Sequence, residues 1–414
     1  MKWPRVPLGS LKSGDRYSFV GGPFGSELTT RDYVSEGIPV IRGNNLATRR
    51  KFHDDDFVFV SDQKARQLES NMAHPCDLIF TQRGTLGQVG LIPKDARFKR
   101  YVVSQSQMKI TVDEEKASHL FLYHYFRLPT TIREIINKVS SSGVPHINLG
   151  TLKAFEVPLP PLEVQSAIAA VAESYDCLIE NNRRRIRLLE DAARLLFSEW
   201  FVDFRYPGHE HAQFVNGLPE GWTRKSLREL CKSVDYGYTA SAIADPVGPK
   251  FLRITDIVPD QIDWSDVPHC VVPDAQMPRF SLAEGDIVVA RTGATVGYAK
   301  RLHKRFPASV FASYLVRLRL GPDLDSLIAG VFVESDTYKK YVLSRVGGAA
   351  QPNANAQVLA GAEIVVPPVP IQRTFRALTE PLFDLKEILQ DQSRRAREAR
   401  DLLLPKLISG EVEV

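Results

Sequence analysis

One junction is written twice in this chain. "VPLPPLEVQSAIAAV" begins at Val157 and "VVPPVPIQRTFRAL" at Val365, and each sets a Pro-Pro pair ahead of an apolar, helix-like run. Gln165 and Gln372 stand 207 residues apart, half of the 414-residue length. The same offset pairs Ser106 with Ser313, Leu120 with Leu327, Ile136 with Leu343, Val139 with Val346, Asn148 with Asn355, Leu152 with Leu359 and Glu156 with Glu363, without a gap. Upstream the offset drifts by a few residues, as loops allow. "DLIFTQRGTLG" from Asp77 then faces "DIVVARTGATVG" from Asp286, and "PVIRGNNL" from Pro39 faces "KFLRITDI" from Lys250, which sets Arg42 opposite Arg253. "KWPRVPLGSL" near the start resembles "GWTRKSLREL" from Gly221. Self-similarity of this extent means one structural unit used twice. Any fold must therefore be a globular part followed by a helix, then both again.

The globular parts read as mixed α/β. "DLIF" and "DIVVA" are short apolar runs bounded by turn residues, as buried strands are, and "SQSQMKITV" alternates polar and apolar, as a half-buried strand does. "HLFLYHYFRLPTTIREIINKV" and "DSLIAGVFVESDTYKKYVLSRV" have helical spacing, and each precedes a Gly-containing polar loop. The segments that close each half are more regular. Ile371, Phe375, Leu378, Leu382, Leu385, Leu389, Gln392, Ala396, Ala399 and Leu403 step by four and three, an a/d heptad seam. Subtracting 207 gives Val164, Ile168, Val171, Tyr175, Leu178, Asn182, Arg185, Leu189, Ala192 and Leu196, the same seam interrupted by Asn182 and Arg185. Two matching seams in one chain most simply pack on each other. Pro381 inside the second predicts a kink or a late helix start. The expected fold is mixed α/β: two duplicated α/β domains, residues 1–158 and 207–366, separated by two long antiparallel helices, 159–206 and 367–414, that form an intramolecular coiled coil.

Catalytic equipment is missing from the pattern. There is no GxxxxGK[ST] phosphate loop, no HExxH and no Asn/Asp-Pro-Pro-aromatic tetrapeptide. "GTLGQVG" from Gly84 to Gly90 lacks the following Lys-Ser/Thr and a helix-like run, so a hairpin turn is the better reading. "HEH" at His209–His211 lies in a Pro-Gly linker without a matching ligand pair and reads as solvated linker. With 43% hydrophobic and 25% charged residues the chain is ordinary globular protein, and a net charge of +4 permits nucleic acid as a partner without demanding it. Four scattered cysteines without a CxxC pair fit a reducing compartment, and no apolar stretch reaches the ~18 residues of a membrane span.

What recurs instead is polar loop chemistry at strand and helix ends. The candidates are Arg42, Asn44, Arg83, Thr85, Gln105, Gln107, His146 and Asn148 in the first half. In the second they are Tyr238, Thr239, Arg253, Thr255, Arg291, Thr292, Gln351, Asn353 and Asn355. Arginine suits guanine, Asn and Gln suit adenine, and hydroxyls suit either base edges or phosphates. Polar residues are also simply what loops contain, and Arg42 and Arg253 could equally brace a strand end. Basic runs supply Lys99, Arg100, Lys300, Lys304 and Arg305 as phosphate contacts, or else as a solvated hairpin.

A duplicated α/β module whose copies end in "PLPPLEVQSAI" and "VPPVPIQRTF" and a long heptad helix resembles one family along the whole chain. With "LIENNRRRIRLLEDAARLLFSEWF" and "ARDLLLPKLISGEV", it is similar to the DNA specificity subunits of type I restriction–modification enzymes. Val164 and Ile371 precede the junction glutamines where that family commonly has an acidic residue. The resemblance implies two target recognition domains, each reading one half of a bipartite asymmetric DNA sequence, on helices that hold the partner subunits. It implies a non-catalytic, cytoplasmic prokaryotic protein that binds double-stranded DNA. Its partners would be two modification subunits, which methylate adenine, and restriction subunits where present. S-adenosylmethionine, ATP and Mg would belong to those partners and none to this chain. The rival readings are a protein scaffold or stand-alone DNA-binding protein that uses the coiled coil for partners, and a solo methyltransferase or nuclease, which the missing motifs disfavour.

Overall fold

A computed structural model describes residues 3–46, 51–138, 146–259, 261–346 and 352–414. They form two compact units, one of residues 1–180 with 393–414, the other of residues 181–392. Each unit holds one α/β part, half of the central helix and half of the C-terminal helix.

The two α/β parts share a frame. A strand near the start of each pairs antiparallel with the strand that precedes its long helix, Arg5–Pro7 with Glu156–Pro158 and Thr223–Ser226 with Glu363–Val366. Each has a four-stranded antiparallel sheet of identical order. In the first unit it runs Phe19–Gly21, Gln107–Ile110, Leu78–Thr81, Val89–Leu91; in the second Cys231–Tyr236, Leu315–Leu320, Ile287–Ala290, Ala299–Arg301. Each also has a parallel pair, Ile38–Ile41 with Tyr101–Val103 and Lys250–Leu252 with Ser309–Phe311. The first unit widens that pair to five strands with Tyr33–Val34, Val58–Val60 and Met72–Ala73.

"SQSQMKITV" departs from the half-buried expectation. All of Gln107–Ile110 is buried, the polar positions included. Lys109 Nζ lies 3.2 Å from Asp77 Oδ2, and Thr111 Oγ1 donates to Asp77 Oδ1 at 2.6 Å. A charge survives burial when it is paired in this way. In the second unit buried Arg317, at the Lys109 position, bonds Asp235 at 2.6 Å, and Arg319, at the Thr111 position, forks onto Asp286 at 2.7 and 2.8 Å. "GTLGQVG" forms the hairpin connection between Leu78–Thr81 and Val89–Leu91. The two helical stretches each resolve into two helices, His119–Phe126 with Pro129–Asn137 and Ser326–Val333 with Asp336–Val346. Pro129 at the first turn of its helix marks the first break.

The central helix spans Leu162–Phe201 and the C-terminal helix Val369–Ser409. The latter neither starts late nor breaks at Pro381, which lies on its exposed face, where water can satisfy the carbonyl the proline leaves unpaired. The helices run antiparallel. In the first unit Ile168, Ala169 and Ala172, early in one, share a core with Leu404, Leu407 and Ile408, late in the other. In the second unit Phe197, Trp200 and Phe201 share one with Phe375.

Only one of the two expected seam positions is correct. Ile168, Asn182, Phe375, Leu389 and Ala396 are buried as expected, but Leu178 and Leu378 are exposed. The second row lies one residue further on: Ala172, Ile186 and Ala193 on one helix, Thr379 and Ser393 on the other. This row is partly polar and is satisfied across the pair. Lys386 bonds Glu190 at 2.5 Å, and Arg400 bonds Asp176.

Candidate DNA interface

The repeated junction has a structural reason. Gln165 is fully buried at the start of the central helix. Its Oε1 accepts the Ser118 N–H at 2.9 Å and its Nε2 donates to Pro160 O at 2.8 Å. Gln372 does the same with the Asp325 N–H (2.8 Å) and Pro367 O (2.8 Å), and donates also to Asp323 O (2.9 Å). Ser118 and Asp325 are the N-caps of matching helices. One glutamine in each unit therefore ties the long helix to its α/β part.

The same frame gathers the candidate loops at one end of each four-stranded sheet. Gly22 and Gly237 follow the edge strands, and a Cβ on either would lie 1.9 Å from Ser104 O or 2.2 Å from Ala312 O. Only glycine lets this segment pass so close to the neighbouring turn. Ile147 N–H donates to Gln82 O and Ala354 N–H to Arg291 O, while Arg83 bridges His146 as Thr292 bridges Asn353. Gln82 N–H donates to Ser106 O and Arg291 N–H to Tyr314 O. These matches keep Gln82 opposite Arg291 and Arg83 opposite Thr292, as the aligned runs set them, and correct one pairing: Ser106 is the counterpart of Tyr314, not of Ser313.

In the first unit the gathering brings Arg83, Thr85, Gln105, His146 and Asn148 together. Arg83, Thr85, Gln105 and Asn148 are exposed. Gln105 Nε2 donates to Leu28 O at 2.8 Å, and so holds the loop that carries Phe24, which is 87% exposed. Asn148 caps a helix by accepting the Thr151 N–H, as Asn355 does with the Val358 N–H. Gln107 is not presented. It is 1% exposed and its amide oxygen accepts from Ser104 Oγ.

The second unit gathers Tyr238, Thr239, Arg291, Thr292, Asn353 and Asn355. Gln351 lies outside the described residues. Arg291 is the centre of this group. Its guanidinium lies 4.8 Å from the Tyr236 ring and its Nη2 donates to Asn353 Oδ1 at 3.3 Å. Tyr236 and Tyr314 are exposed aromatics absent from the sequence-based candidates. Their signal was the tyrosine-rich "YGYT" and "ASYL".

Arg42 and Arg253 are both hydrogen-bonded at their own strand ends. Their backbone N–H groups donate to Asn45 Oδ1 (2.9 Å) and Asp256 Oδ2 (2.8 Å) at the next turn. The Arg253 guanidinium forks onto Asp256 at 2.9 and 3.0 Å, and Arg42 Nη2 donates to Asp56 O at 3.1 Å. Asn44 bonds Asp56 as well, and Thr255 is exposed.

Most of the basic candidates are likewise engaged inside their own unit. Lys300 pairs with Glu334 at 3.3 Å. Lys304 contacts Glu380 (3.0 Å) and Asp384 (3.1 Å), and Arg305 N–H donates to Glu387. These contacts fasten the hairpin to the C-terminal helix. Arg376 and Lys304 hold the Glu380 carboxyl down to about 2. Arg100 pairs with Asp62, while Lys99 is exposed. In the first unit Lys51 and His124 meet Glu173, and Arg127 meets Asp176. Burial pushes the Glu173 carboxyl up, but His124 and Lys51 outweigh it and hold it below its ordinary value. The groups His124–Glu173–Asp176 and His303–Asp384–Glu387 come close enough to share a cation, yet protein cations already neutralise carboxylates in both. They read as clamps rather than metal centres.

Known proteins share this organisation. The family model for the type I restriction modification DNA specificity domain matches residues 29–191. The chain is 25% identical over 93% of its length to the type I restriction enzyme MjaIX specificity subunit of Methanocaldococcus jannaschii, spanning 89% of that protein. It is 20% identical over 87% of its length to the EcoKI specificity subunit of Escherichia coli, spanning 78% of it. Its fold is similar to the crystal structure of the type I restriction–modification S subunit from M. genitalium, with a TM-score of 0.55 at 14% identity over 98% of this chain and 96% of that one. A match to the specificity-domain model at residues 29–191, relatives aligned along nearly the whole length and this shared fold make the chain similar to the DNA specificity subunits of type I restriction–modification enzymes.

Proposed function

We propose that this chain recognises a bipartite, asymmetric DNA sequence, one half with each α/β part, and directs adenine methylation there by separate modification subunits. When a motor subunit joins, the same recognition directs restriction. The observation that carries the reading is the pairing of one frame with two different sets of tip residues. Arg83, Gln105 and His146 end one sheet, while Arg291, Thr292 and Asn353 end the other. A shared frame supports equivalent partner contacts, and unlike tips support unlike half-sites. Leu195 (64% exposed) and Leu402 (72% exposed) are repeat-equivalent on the outer faces of the two helices and suit two copies of one partner. S-adenosylmethionine, ATP and Mg then belong to the partners.

Co-expression with the cognate methyltransferase and sequencing of N6-methyladenine tests this. One motif with two half-sites and a fixed gap is expected, and the purified chain alone should neither methylate nor cleave DNA. Methyl transfer retained by the chain after rigorous removal of its partner would overturn the subunit reading.

A further inference from the structure

We infer that the second α/β part reads its half-site with an aromatic–guanidinium group that the first part lacks: Tyr314 beside Arg291, with Arg291 held on the face of Tyr236. This rests on the specificity reading and names the residues that make its two halves differ.

Tyr314 occupies the turn Ala312–Leu315, closed by the Leu315 N–H donating to Ala312 O at 2.8 Å. Arg291 N–H donates to Tyr314 O at 3.0 Å, so the two residues are fixed neighbours. The Tyr314 side chain packs into neither hydrophobic cluster of its unit and stays 61% exposed, whereas Phe311 and Tyr338 nearby in sequence are fully buried. A tyrosine left in water at a loop tip offers an apolar ring and a polar hydroxyl to a partner.

Arg291 is oriented but weakly engaged. Its guanidinium lies over Tyr236, and the Tyr236 hydroxyl accepts the Ala356 N–H at 3.0 Å, which fixes that ring. Its own bonds are long, Nη1 to Ser313 O at 3.5 Å and Nη2 to Asn353 Oδ1 at 3.3 Å. Its Nε is buried without a hydrogen-bond partner. A guanidinium held in one plane by stacking, with poor bonds to surrender, is pre-organised to fork onto a purine edge, guanine O6 and N7 above all. The strand and turn pairings set Gln82 opposite Arg291, Ser106 opposite Tyr314 and Gly21 opposite Tyr236. None of those three residues supplies a ring or a cation. Tyr236 is then a positioning residue, while Arg291 and Tyr314 touch DNA.

The test uses the full chain in complex with its methyltransferase, scored by the methylated motif and by methylation rate on the wild-type site. Tyr314→Ala, and Tyr314→Ser, which installs the first part's residue, should slow methylation of that site about tenfold and relax one or two adjacent base pairs of one half-site. Tyr236→Leu should relax the same guanine position as Arg291→Ala, and Tyr236→Phe, which keeps the ring face but loses the bond from the Ala356 N–H, should relax it less than Tyr236→Leu does. The other half-site should stay intact throughout. Unchanged base preferences in both Tyr314→Ala and Tyr236→Leu, with the wild-type complex methylating a bipartite motif, would overturn this inference alone. Equal relaxation of both half-sites would overturn it as well. A wild-type complex that methylates no defined motif would remove the specificity reading and this inference together.

Discussion

Replacing Gln165 with leucine tests whether the duplicated junction is a staple or merely a shared ancestry mark. The side chain is fully buried and satisfies two groups, the Ser118 N–H and Pro160 O. Leucine keeps the approximate volume and supplies neither partner. Each group left buried and unpaired costs about 1–3 kcal/mol, so the pair should cost about 2–6 kcal/mol. A domain has roughly 5–15 kcal/mol of stability in all, so the loss is a large fraction. In a unit of this size about 2–4 °C of melting temperature goes with each kcal/mol. Gln372→Leu strands three groups, the Asp325 N–H, Pro367 O and Asp323 O, and should cost roughly half as much again by the same reckoning. Hydrogen exchange read by mass spectrometry locates the damage. Gln165→Leu should lower protection around residues 119–126 and 156–172, while residues 181–392 keep theirs. Urea unfolding supplies the magnitude. A loss under about 0.5 kcal/mol, the range of ordinary surface substitutions, would refute the staple, as would damage shared equally by both units.

Asn182→Leu should stabilise its unit by about 1 kcal/mol, because a buried polar residue in a helix seam sets register at a cost in stability. Its Oδ1 is buried without a partner, its Nδ2 meets Gln392 Oε1 only at 3.5 Å, and Gln392 is exposed enough for water to satisfy it; thermal melts check this. Glu380→Gln should destabilise at pH 7 and converge with wild type in acid. The folded carboxyl is depressed from 4.5 to about 2, so its contribution is present above the ordinary value and is lost as pH falls through that interval; urea midpoints at pH 7, 4 and 3 read it. Adding one helical turn after both Asn182 and Leu389 should widen the gap of the methylated motif by one or two base pairs. The added ~5.4 Å compares with a rise of about 3.4 Å per pair. The half-sites should stay unchanged, and affinity should fall because each added pair also rotates one half-site by roughly 35°.

The duplication was legible in sequence because the frame is held by residues that must recur. Gln165 and Gln372 make matching bonds, as do Asp77 and Asp286 at the sheet ends. The second seam row was not legible, because apolar spacing cannot see Lys386 or Arg400, whose partners Glu190 and Asp176 lie about 200 residues away in sequence. Gln107 and Lys109 misled for the same reason, since a polar residue in a strand reads as solvent-facing unless its buried partner is known. The tip residues fell between these cases. Their loops were found, but the one-residue drift that sets Ser106 against Tyr314 rather than Ser313 appears only in the backbone pairing. That pairing also explains how two tips can differ on one frame. The bonds that recur there, Ser104 N–H to Ile41 O and Ala312 N–H to Leu252 O, Ile147 N–H to Gln82 O and Ala354 N–H to Arg291 O, are all main chain to main chain. None depends on which side chain is carried outward. A tip residue can therefore be exchanged without disturbing the sheet beneath it, which is the physical condition for two halves of one chain to acquire separate sequence preferences.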